Sequence, residues 1–180
     1  DVSLFVSNTK GIIELLNTGR IDIGLVEGDA PKQSLDIEKL LEDELVLIMP
    51  PDHLWVKRKN ISVSELLSQP VIMREDGSGT RQMIEKHLMA NKISPSNLRM
   101  SLVLGSTEAI KSAVEHGMGV SILSHWTVRK EVQFGTIKTN TFRDIRFTRN
   151  FNIVFHKRGT LTNTAKDFFD FLKIFPFQNI

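Results

Sequence analysis

The sequence predicts an α/β fold made of two lobes that contain parallel sheets. Short runs rich in Val, Ile and Leu alternate with stretches of helical spacing, which is typical of α/β domains. The runs form one group before Pro50 and another from about Ile61 to Val132, with a last strand and helix left over. Because these can return to the first group, we expect lobe I to comprise residues 1–49 and 145–180, and lobe II residues 50–144, joined by two crossings.

The composition is that of an ordinary globular protein. The chain has 180 residues, of which 41% are apolar and 24% charged, enough for a core. Cysteine is absent, which excludes disulfides and thiolate chemistry and suits a reducing compartment. No apolar run could span a bilayer and no signal peptide precedes Asp1, so we expect a cytoplasmic protein. A net charge of +2 does not favour nucleic-acid binding.

The first elements predict a β-strand, a helix and a second strand. Val2–Val6 reads as a strand, Thr9 as the cap of a helix that ends at Gly19, and Ile21–Val26 as the next strand. This spacing predicts a βαβ unit with parallel pairing and a right-handed crossover.

The next segment leaves this lobe. Leu35–Met49 has a long strand-like pattern that ends at Pro50–Pro51, because proline cannot donate to a sheet. Ser62 and Glu65 then form a capping box for a short helix.

The most informative turn is Arg74–Arg81. It follows the apolar run Pro70–Met73 and precedes a helical stretch, Arg81–Ala90. Its backbone N–H groups and the Ser78 and Thr80 hydroxyls would therefore lie at a helix N-terminus, where an anion can bind.

A second turn of this kind, Gly105–Thr107, follows Leu102–Leu104 and precedes the helical stretch Glu108–His116. Two such turns favour a small-molecule receptor over an enzyme. Helix capping without a ligand is the alternative for either turn alone, favoured by roughly three to one. Neither turn matches a phosphate-loop pattern.

The remaining elements follow the same alternation. Val120–Leu123 is a predicted buried strand, and Ser124 can cap a helix through Lys130. Phe151–His156 is the last predicted strand, and Thr162 can cap the last helix.

Charge is segregated along the chain. The segment Asp22–Glu44 is acid-rich, whereas a later segment is basic. Its basic residues are Lys138, Arg143, Arg146, Arg149, Lys157 and Arg158. Such runs usually form solvated faces; a contact between subunits is the second interpretation.

Catalytic constellations are not evident. The five histidines lack zinc-site spacing, and Ser124–His125 is not in a nucleophile elbow. Alternation in a strand would place Glu42 and Asp43 on opposite faces, which argues against an acid/base pair. We expect no metal, no cofactor and no enzyme activity.

Four motifs together carry a resemblance to a known family. They are Gly19 to Gly28 (with Asp22-Ile23-Gly24-Leu25-Val26), Glu42 to His53, Arg74 to Arg81 (with Gly77-Ser78-Gly79-Thr80), and Leu104 to Val114. In this order and spacing they resemble the effector-binding domain of LysR-type transcriptional regulators, especially the cysteine-metabolism and carbon-fixation branches. The resemblance covers nearly the whole chain.

The resemblance implies a periplasmic-binding-protein-like fold of two Rossmann-like lobes that holds a small anionic effector in the interlobe cleft. It further implies a homodimer or tetramer that binds DNA only through a separate winged helix-turn-helix domain, with no membrane association. The family's cleft contacts, carried over by position, are Ser7, Asn8, Thr9, Gly77, Ser78, Gly79, Thr80, Ser106 and Thr107.

One departure concerns the first lobe. Family members have a strand and a helix before the strand that matches Val2–Val6, so we expect that first strand and helix to be missing here.

Two rival functions share the predicted fold. A solute-binding protein of a transporter would require export, and a dehydratase-like enzyme would require an acid/base pair in the cleft. The residues do not distinguish carboxylates, phosphates, sulfate and sulfur-containing metabolites as effectors.

Overall fold

The computed structural model describes residues 2–157 and 159–177. Predictions that fall on Asp1, Arg158 and residues 178–180 lie outside this part of the chain. The helices are α1 Thr9–Asn17, α2 Val63–Leu66, α3 Gly79–Ala90, α4 Thr107–Glu115, α5 Arg129–Phe134 and α6 Asn163–Ile174. The strands are β1 Ile23–Glu27, β2 Leu35–Met49, β3 Val71–Arg74, β4 Met100–Leu104, β5 Ser121–Ser124, β6 Lys138–Asn140 and β7 Phe147–His156. Short 3₁₀ turns lie at Pro95–Asn97 and Trp126–Val128.

The chain divides into two compact units. The first comprises residues 1–42, 77–79 and 150–180, and the second comprises residues 43–76 and 80–149. The units differ from the predicted lobes in two respects. Residues 43–49 and 145–149 belong to the second unit, and residues 77–79 belong to the first. The lobe boundaries read from the sequence stay a prediction.

The core of the first unit lies between α1 and β1. Its buried residues are Ile12, Leu16, Val26, Leu35 and Val154. Asn8, rather than Thr9, caps α1, because the Asn8 side chain accepts a hydrogen bond from the Gly11 N–H at 3.0 Å. Thr9 is the first helical residue, and the helix ends as predicted before Gly19, whose φ is 67°.

The predicted strand at Val2–Val6 is wrong. Residues 2–8 form neither helix nor strand, and Val2, Leu4 and Val6 are 84%, 88% and 91% exposed. A strand needs a hydrogen-bonded neighbour, and alternation of apolar residues cannot supply one.

The predicted parallel βαβ unit is therefore also wrong. Strand β1 pairs antiparallel with β7, with Ile23 opposite Phe155 and Glu27 opposite Phe151. Strand β7 is in turn the neighbour of β2. The first unit is thus built on pairing between strands that are far apart in the sequence.

Parallel pairing occurs in the second unit. Strands β3 and β4 are parallel, with Met73 opposite Val103, and Val120 extends the arrangement by a parallel bridge to Val71. Strand β2 pairs antiparallel with β5 and β6. The residues Leu45–Met49 are all buried, as expected for a strand covered on both faces. The unit's largest cluster of buried side chains includes Leu47, Met49, Ile61, Leu66, Met73, Ile84, Leu88, Ile122 and Phe147.

Several predicted helix starts are confirmed. Both hydrogen bonds of the Ser62–Glu65 capping box are present at α2, and Thr162 caps α6 by accepting from the Ala165 N–H. The predicted helix after Ser124 begins instead as a 3₁₀ turn, and its α-helical part starts at Arg129. Within residues 2–157 and 159–177, no helix is long and apolar enough to cross a membrane.

The acidic and basic segments meet within the chain. In the second unit, Arg149 pairs with Asp43 and Arg146 with Glu44, because β7 lies beside β2. The Arg146 side chain is 71% exposed, as in a solvated face. These pairs account for part of the charge segregation; a contact between subunits stays a prediction.

Candidate functional site

The first predicted site residues gather in the first unit, where the start of α1 meets the turn Gly77–Gly79. The Lys10 N–H donates to the Gly77 carbonyl at 3.2 Å. The Thr9 hydroxyl donates to the Glu27 carbonyl, at the end of β1, at 3.2 Å. The predicted residues Asn8 and Thr9 are therefore close to the glycine turn, although they are far from it in the sequence.

Backbone conformation explains the first glycine of this turn, and close packing explains the last. Gly77 has φ +84°, a conformation that other residues rarely adopt. A Cβ on Gly79 would lie 2.1 Å from the Glu27 carbonyl oxygen and 2.6 Å from Thr9 Oγ1. The turn is thus shaped by its contact with α1 and β1, and only a residue without a side chain fits at position 79.

The two hydroxyls of the first turn are buried. Ser78 is 1% exposed and Thr80 is 3% exposed. Thr80, in the first turn of α3, accepts a hydrogen bond from Arg149 Nη1 at 2.6 Å. This contact ties the start of α3 to strand β7.

Arg149 itself belongs to a buried polar network in the second unit. Its Nε donates to Asp43 Oδ2 at 2.8 Å, and the two side chains are 1% and 0% exposed. The Ser124 hydroxyl donates to Asp43 Oδ1 at 2.9 Å, and Ser124 Oγ accepts from the Trp126 N–H at 3.2 Å. The network therefore links the middle of β2, at Asp43, and the end of β5, at Ser124, to Thr80.

The second predicted turn has a different geometry. Ser106 is exposed and caps α4, accepting from the Ala109 N–H at 3.1 Å. Thr107, the first helical residue, accepts from Arg74 Nη1 at 3.1 Å. Arg74 also forms a two-pronged pair with Glu75, with N–O distances of 2.8 and 3.0 Å. Because β3 and β4 are parallel, the starts of α3 and α4 follow the carboxyl ends of neighbouring strands.

Charged groups on α4 and α5 are mutually paired. Burial lowers the pKa of Lys111, but hydrogen bonds to Glu131 and Glu108 outweigh it, so the pKa of Lys111 is raised above its ordinary value. Burial likewise raises the pKa of Glu131, and the hydrogen bond from Lys111 outweighs it, so that this pKa is lowered. The Lys111 Nζ to Glu131 Oε1 distance is 2.7 Å. Both groups are charged and hold α4 against α5.

The structure thus distributes the predicted site residues over three local groups. Asn8, Thr9, Gly77, Ser78 and Gly79 belong to the first unit, and Thr80 meets Arg149 in the second. Ser106 and Thr107 start α4. Ser7 is exposed and immediately precedes the cap of α1.

Sequence reasoning missed Arg149 and Asp43. On the sequence alone, Arg149 is one member of the basic segment, and Asp43 belongs to the acidic segment and follows Glu42 in a strand. The available signal was a charge close to a buried run. Asp43 precedes Leu45–Met49 by two residues, and Arg149 lies between the buried Phe147 and the buried run Asn152–Val154. Such a charge is rarely buried unless it is paired.

The Ser124 hydroxyl bonds to Asp43 and to the Trp126 N–H, which makes it a structural link. In the described ranges, no three His, Cys, Asp or Glu side chains are grouped so that they could hold a metal ion.

Two cavities lie in the first unit, apart from the predicted site residues. One, of about 260 Å³, is lined by residues that include Asp22, His156 and Thr160. The other, of about 480 Å³, is lined by Gln33, Ser34, His156 and Lys157. Neither is lined by one of the nine predicted residues.

Comparisons of this chain with known sequences and with a family model agree with one another. The family model of the LysR substrate binding domain matches residues 1–174. The HTH-type transcriptional regulator YeiE of Escherichia coli K12, itself uncharacterized, is 32% identical over 94% of this chain and 57% of its own length. CysL of Bacillus subtilis, also an HTH-type transcriptional regulator, is 34% identical over 73% of this chain and 43% of its own length. The chain therefore spans about half the length of these relatives.

A solved structure gives the same answer for the fold. The CcmR regulatory domain of Synechocystis PCC6803, in complex with 2-PG, has a TM-score of 0.84 and 29% identity. The alignment covers 96% of this chain and 82% of that one. The predicted periplasmic-binding-protein-like α/β fold and the resemblance read from the four motifs are both confirmed.

Proposed function

Since the chain belongs to the LysR substrate-binding domain family, we propose that it is the effector-sensing domain of a LysR-type transcriptional regulator. A small anionic effector binds this domain and shifts the population of its conformations. A winged helix-turn-helix domain of the full-length protein reads that shift as a change in DNA binding. The family match over residues 1–174 is the observation that carries this proposal.

We place the effector at the nine residues predicted from the sequence. Two features support this position: α3 and α4 both begin after the carboxyl ends of the parallel strands β3 and β4, and both present hydroxyls at their first turns. Helix N-termini with nearby hydroxyls suit anions. The CcmR regulatory domain, which has the same fold, binds 2-phosphoglycolate (2-PG), a ligand with a phosphate and a carboxylate.

The domain senses rather than catalyses in this proposal. Its support is that YeiE and CysL are transcriptional regulators by name. The same role implies a cytoplasmic location, because a regulator must reach DNA. It also implies assembly into homodimers or tetramers, because such regulators bind paired half-sites on DNA.

Isothermal titration calorimetry tests the proposal directly. The wild-type domain is titrated with 2-phosphoglycolate, inorganic phosphate, sulfate and small carboxylates, and the tightest anion is then titrated into Thr80→Ala and Ser106→Ala. Loss of a hydrogen bond to a charged ligand is expected to weaken binding by about 1.5–3 kcal/mol. Thr18→Ala is the control, because the exposed Thr18 hydroxyl bonds only to α1 carbonyls among the contacts described.

The outcomes separate the two parts of the proposal. If the wild type binds an anion and both variants bind it with the same affinity, Thr80 and Ser106 do not belong to the site. If no anion in the panel binds, the sensor function for this chemical class is wrong.

A further inference from the structure

Arg74 brings a positive charge to the start of α4. Its Nη1 donates to the hydroxyl of Thr107, the first residue of that helix, at 3.1 Å. We propose that Arg74 binds the carboxylate or phosphate group of the effector, and that Glu75 competes with the effector for the Arg74 guanidinium. This inference rests on the proposed function and adds to it the cation of the site and a competitor for that cation. All three residues belong to the second unit.

Glu75 binds Arg74 as the carboxylate of a ligand would. Glu75 Oε2 accepts from Arg74 Nε at 2.8 Å, and Oε1 accepts from Nη2 at 3.0 Å. Two parallel hydrogen bonds of this kind are the geometry in which a guanidinium recognises a carboxylate or a phosphate. The edge of Arg74 that carries Nε and Nη2 therefore suits an anion with two oxygen atoms, and the protein's own carboxylate lies on that edge.

The end of β3 makes this pair possible. Arg74 is the last residue of the strand, and neighbouring residues along a strand point to opposite faces. Glu75 follows the strand, and its N–H donates to the Leu104 carbonyl at 3.2 Å. Because the two residues are adjacent in the sequence, Glu75 stays close to Arg74 even when the pair is open. It therefore competes as an intramolecular ligand at a high effective concentration.

The pair is partly buried and still reaches solvent. The Arg74 side chain is 14% exposed and the Glu75 side chain 25% exposed. Partial burial reduces screening by water and so strengthens the attraction between the guanidinium and an anion. The bond to Thr107 comes from Nη1, which Glu75 does not use, so it can persist while the anion on Nε and Nη2 is exchanged. Arg74 thus stays at the start of α4 during the exchange.

Competition lowers the apparent affinity for the effector by a factor that can be calculated. If the effector binds only when Glu75 has left Arg74, the apparent dissociation constant is the intrinsic constant divided by the fraction of open pairs. An ion pair that is formed in about 70–90% of the molecules leaves an open fraction of about 0.1–0.3. Removal of the Glu75 carboxylate is then expected to tighten binding about three- to tenfold.

A double-mutant cycle in affinity tests the inference. The variants are Glu75→Gln, Arg74→Gln and the double variant, each titrated by calorimetry with 2-phosphoglycolate, inorganic phosphate and sulfate. Glu75→Gln is expected to bind the preferred anion about three- to tenfold more tightly than the wild type. Arg74→Gln is expected to bind it at least about tenfold more weakly. The double variant is expected to bind within about twofold of Arg74→Gln, because it has no guanidinium for which Glu75 could compete.

Controls separate competition from a general effect of charge and from misfolding. Asp76→Asn is the matched control, because it removes the same charge from the next residue of the turn, which is exposed. It is expected to change the affinity by less than about twofold. If Arg74→Gln does not fold, Arg74→Lys replaces it, because a lysine keeps the charge but cannot form the two parallel hydrogen bonds. A smaller gain from Glu75→Gln is then expected beside Lys than beside Arg.

Each outcome decides the question. An unchanged affinity in Arg74→Gln, or the lack of a gain in Glu75→Gln, would overturn the inference and leave the sensor function intact. A gain of equal size with and without Arg74, or in Asp76→Asn, would also overturn it, since the effect would then be one of net charge. If neither the wild type nor Glu75→Gln binds any of the three anions, both proposals are wrong.

Discussion

The substitution Gly79→Ala has two opposing effects on stability, a gain in helix propensity and a loss in packing. Gly79 is the first residue of α3, where alanine is favoured over glycine by up to about 1 kcal/mol. The new Cβ, however, would lie 2.1 Å from the Glu27 carbonyl oxygen and 2.6 Å from Thr9 Oγ1. Glu27 is held by its pairing with Phe151, so the contact cannot be relieved by turning a side chain.

The cost of the steric overlap is expected to exceed the gain in helix propensity. The neighbours must move by roughly 1 Å, and such overpacking typically costs about 1–3 kcal/mol. Taking the middle of this range, about 2 kcal/mol, and subtracting a gain in helix propensity of up to about 1 kcal/mol gives an expected net loss in free energy of unfolding of about 1–2 kcal/mol. For a chain of this length, that corresponds to a fall in Tm of about 2–8 °C.

Thermal and urea unfolding, followed by circular dichroism, measure this loss. Gly105→Ala is the matched control, because Gly105 is the first residue of the second turn and a Cβ there meets nothing within 4 Å. The control is expected to change the unfolding free energy by no more than about 0.5 kcal/mol. If Gly79→Ala is as stable as the wild type, the close approach of this turn to β1 is incorrect.

Two further predictions concern Ser106 and Glu65. Ser106→Asp should keep the cap of α4, because aspartate caps a helix as well as serine does. Its negative charge should nevertheless weaken anion binding at least about tenfold. An unchanged affinity in calorimetry would exclude Ser106 from the site. Hydrogen bonds from the Arg58 guanidinium, then from the Ser62 N–H and hydroxyl, lower the pKa of Glu65 from 4.5 to about 2. Because the folded value is the lower one, this stabilisation is complete above pH 4.5 and is lost as the pH falls toward 2. The Tm difference between wild type and Glu65→Gln should therefore shrink over that range, and a constant difference would contradict the assignment.

Short-range signals in the sequence predicted the helix starts well. The Ser62 and Thr162 side chains each accept a hydrogen bond from the backbone N–H three residues ahead, so each cap is decided by residues within one short segment of the sequence. The glycine turns before α3 and α4 were predicted for the same reason. Asn8 took the place of Thr9 as a cap because both residue types can cap, and the pattern alone does not choose between neighbours.

Pairing between distant residues was not predictable in the same way. The pattern of Val2–Val6 is that of a strand, but only a neighbouring strand can satisfy its backbone groups. The antiparallel partner of β1 is β7, which no local pattern indicates. Asp43 and Arg149 are 106 positions apart, so the ion pair between them depends on the register of β2 and β7.

The way the two units share the chain has a consequence for synthesis on the ribosome. The whole second unit lies within residues 43–149, of which only the turn Gly77–Gly79 belongs to the first unit, so its sequence is complete when Arg149 emerges. The first unit cannot form until β7 and α6 have been made, because β1 has to wait for partners such as Phe155, opposite Ile23. Closing so long a loop is entropically costly and slow. During synthesis the second unit should therefore be folded while the segment before Asp43 is still open to chaperones and proteases.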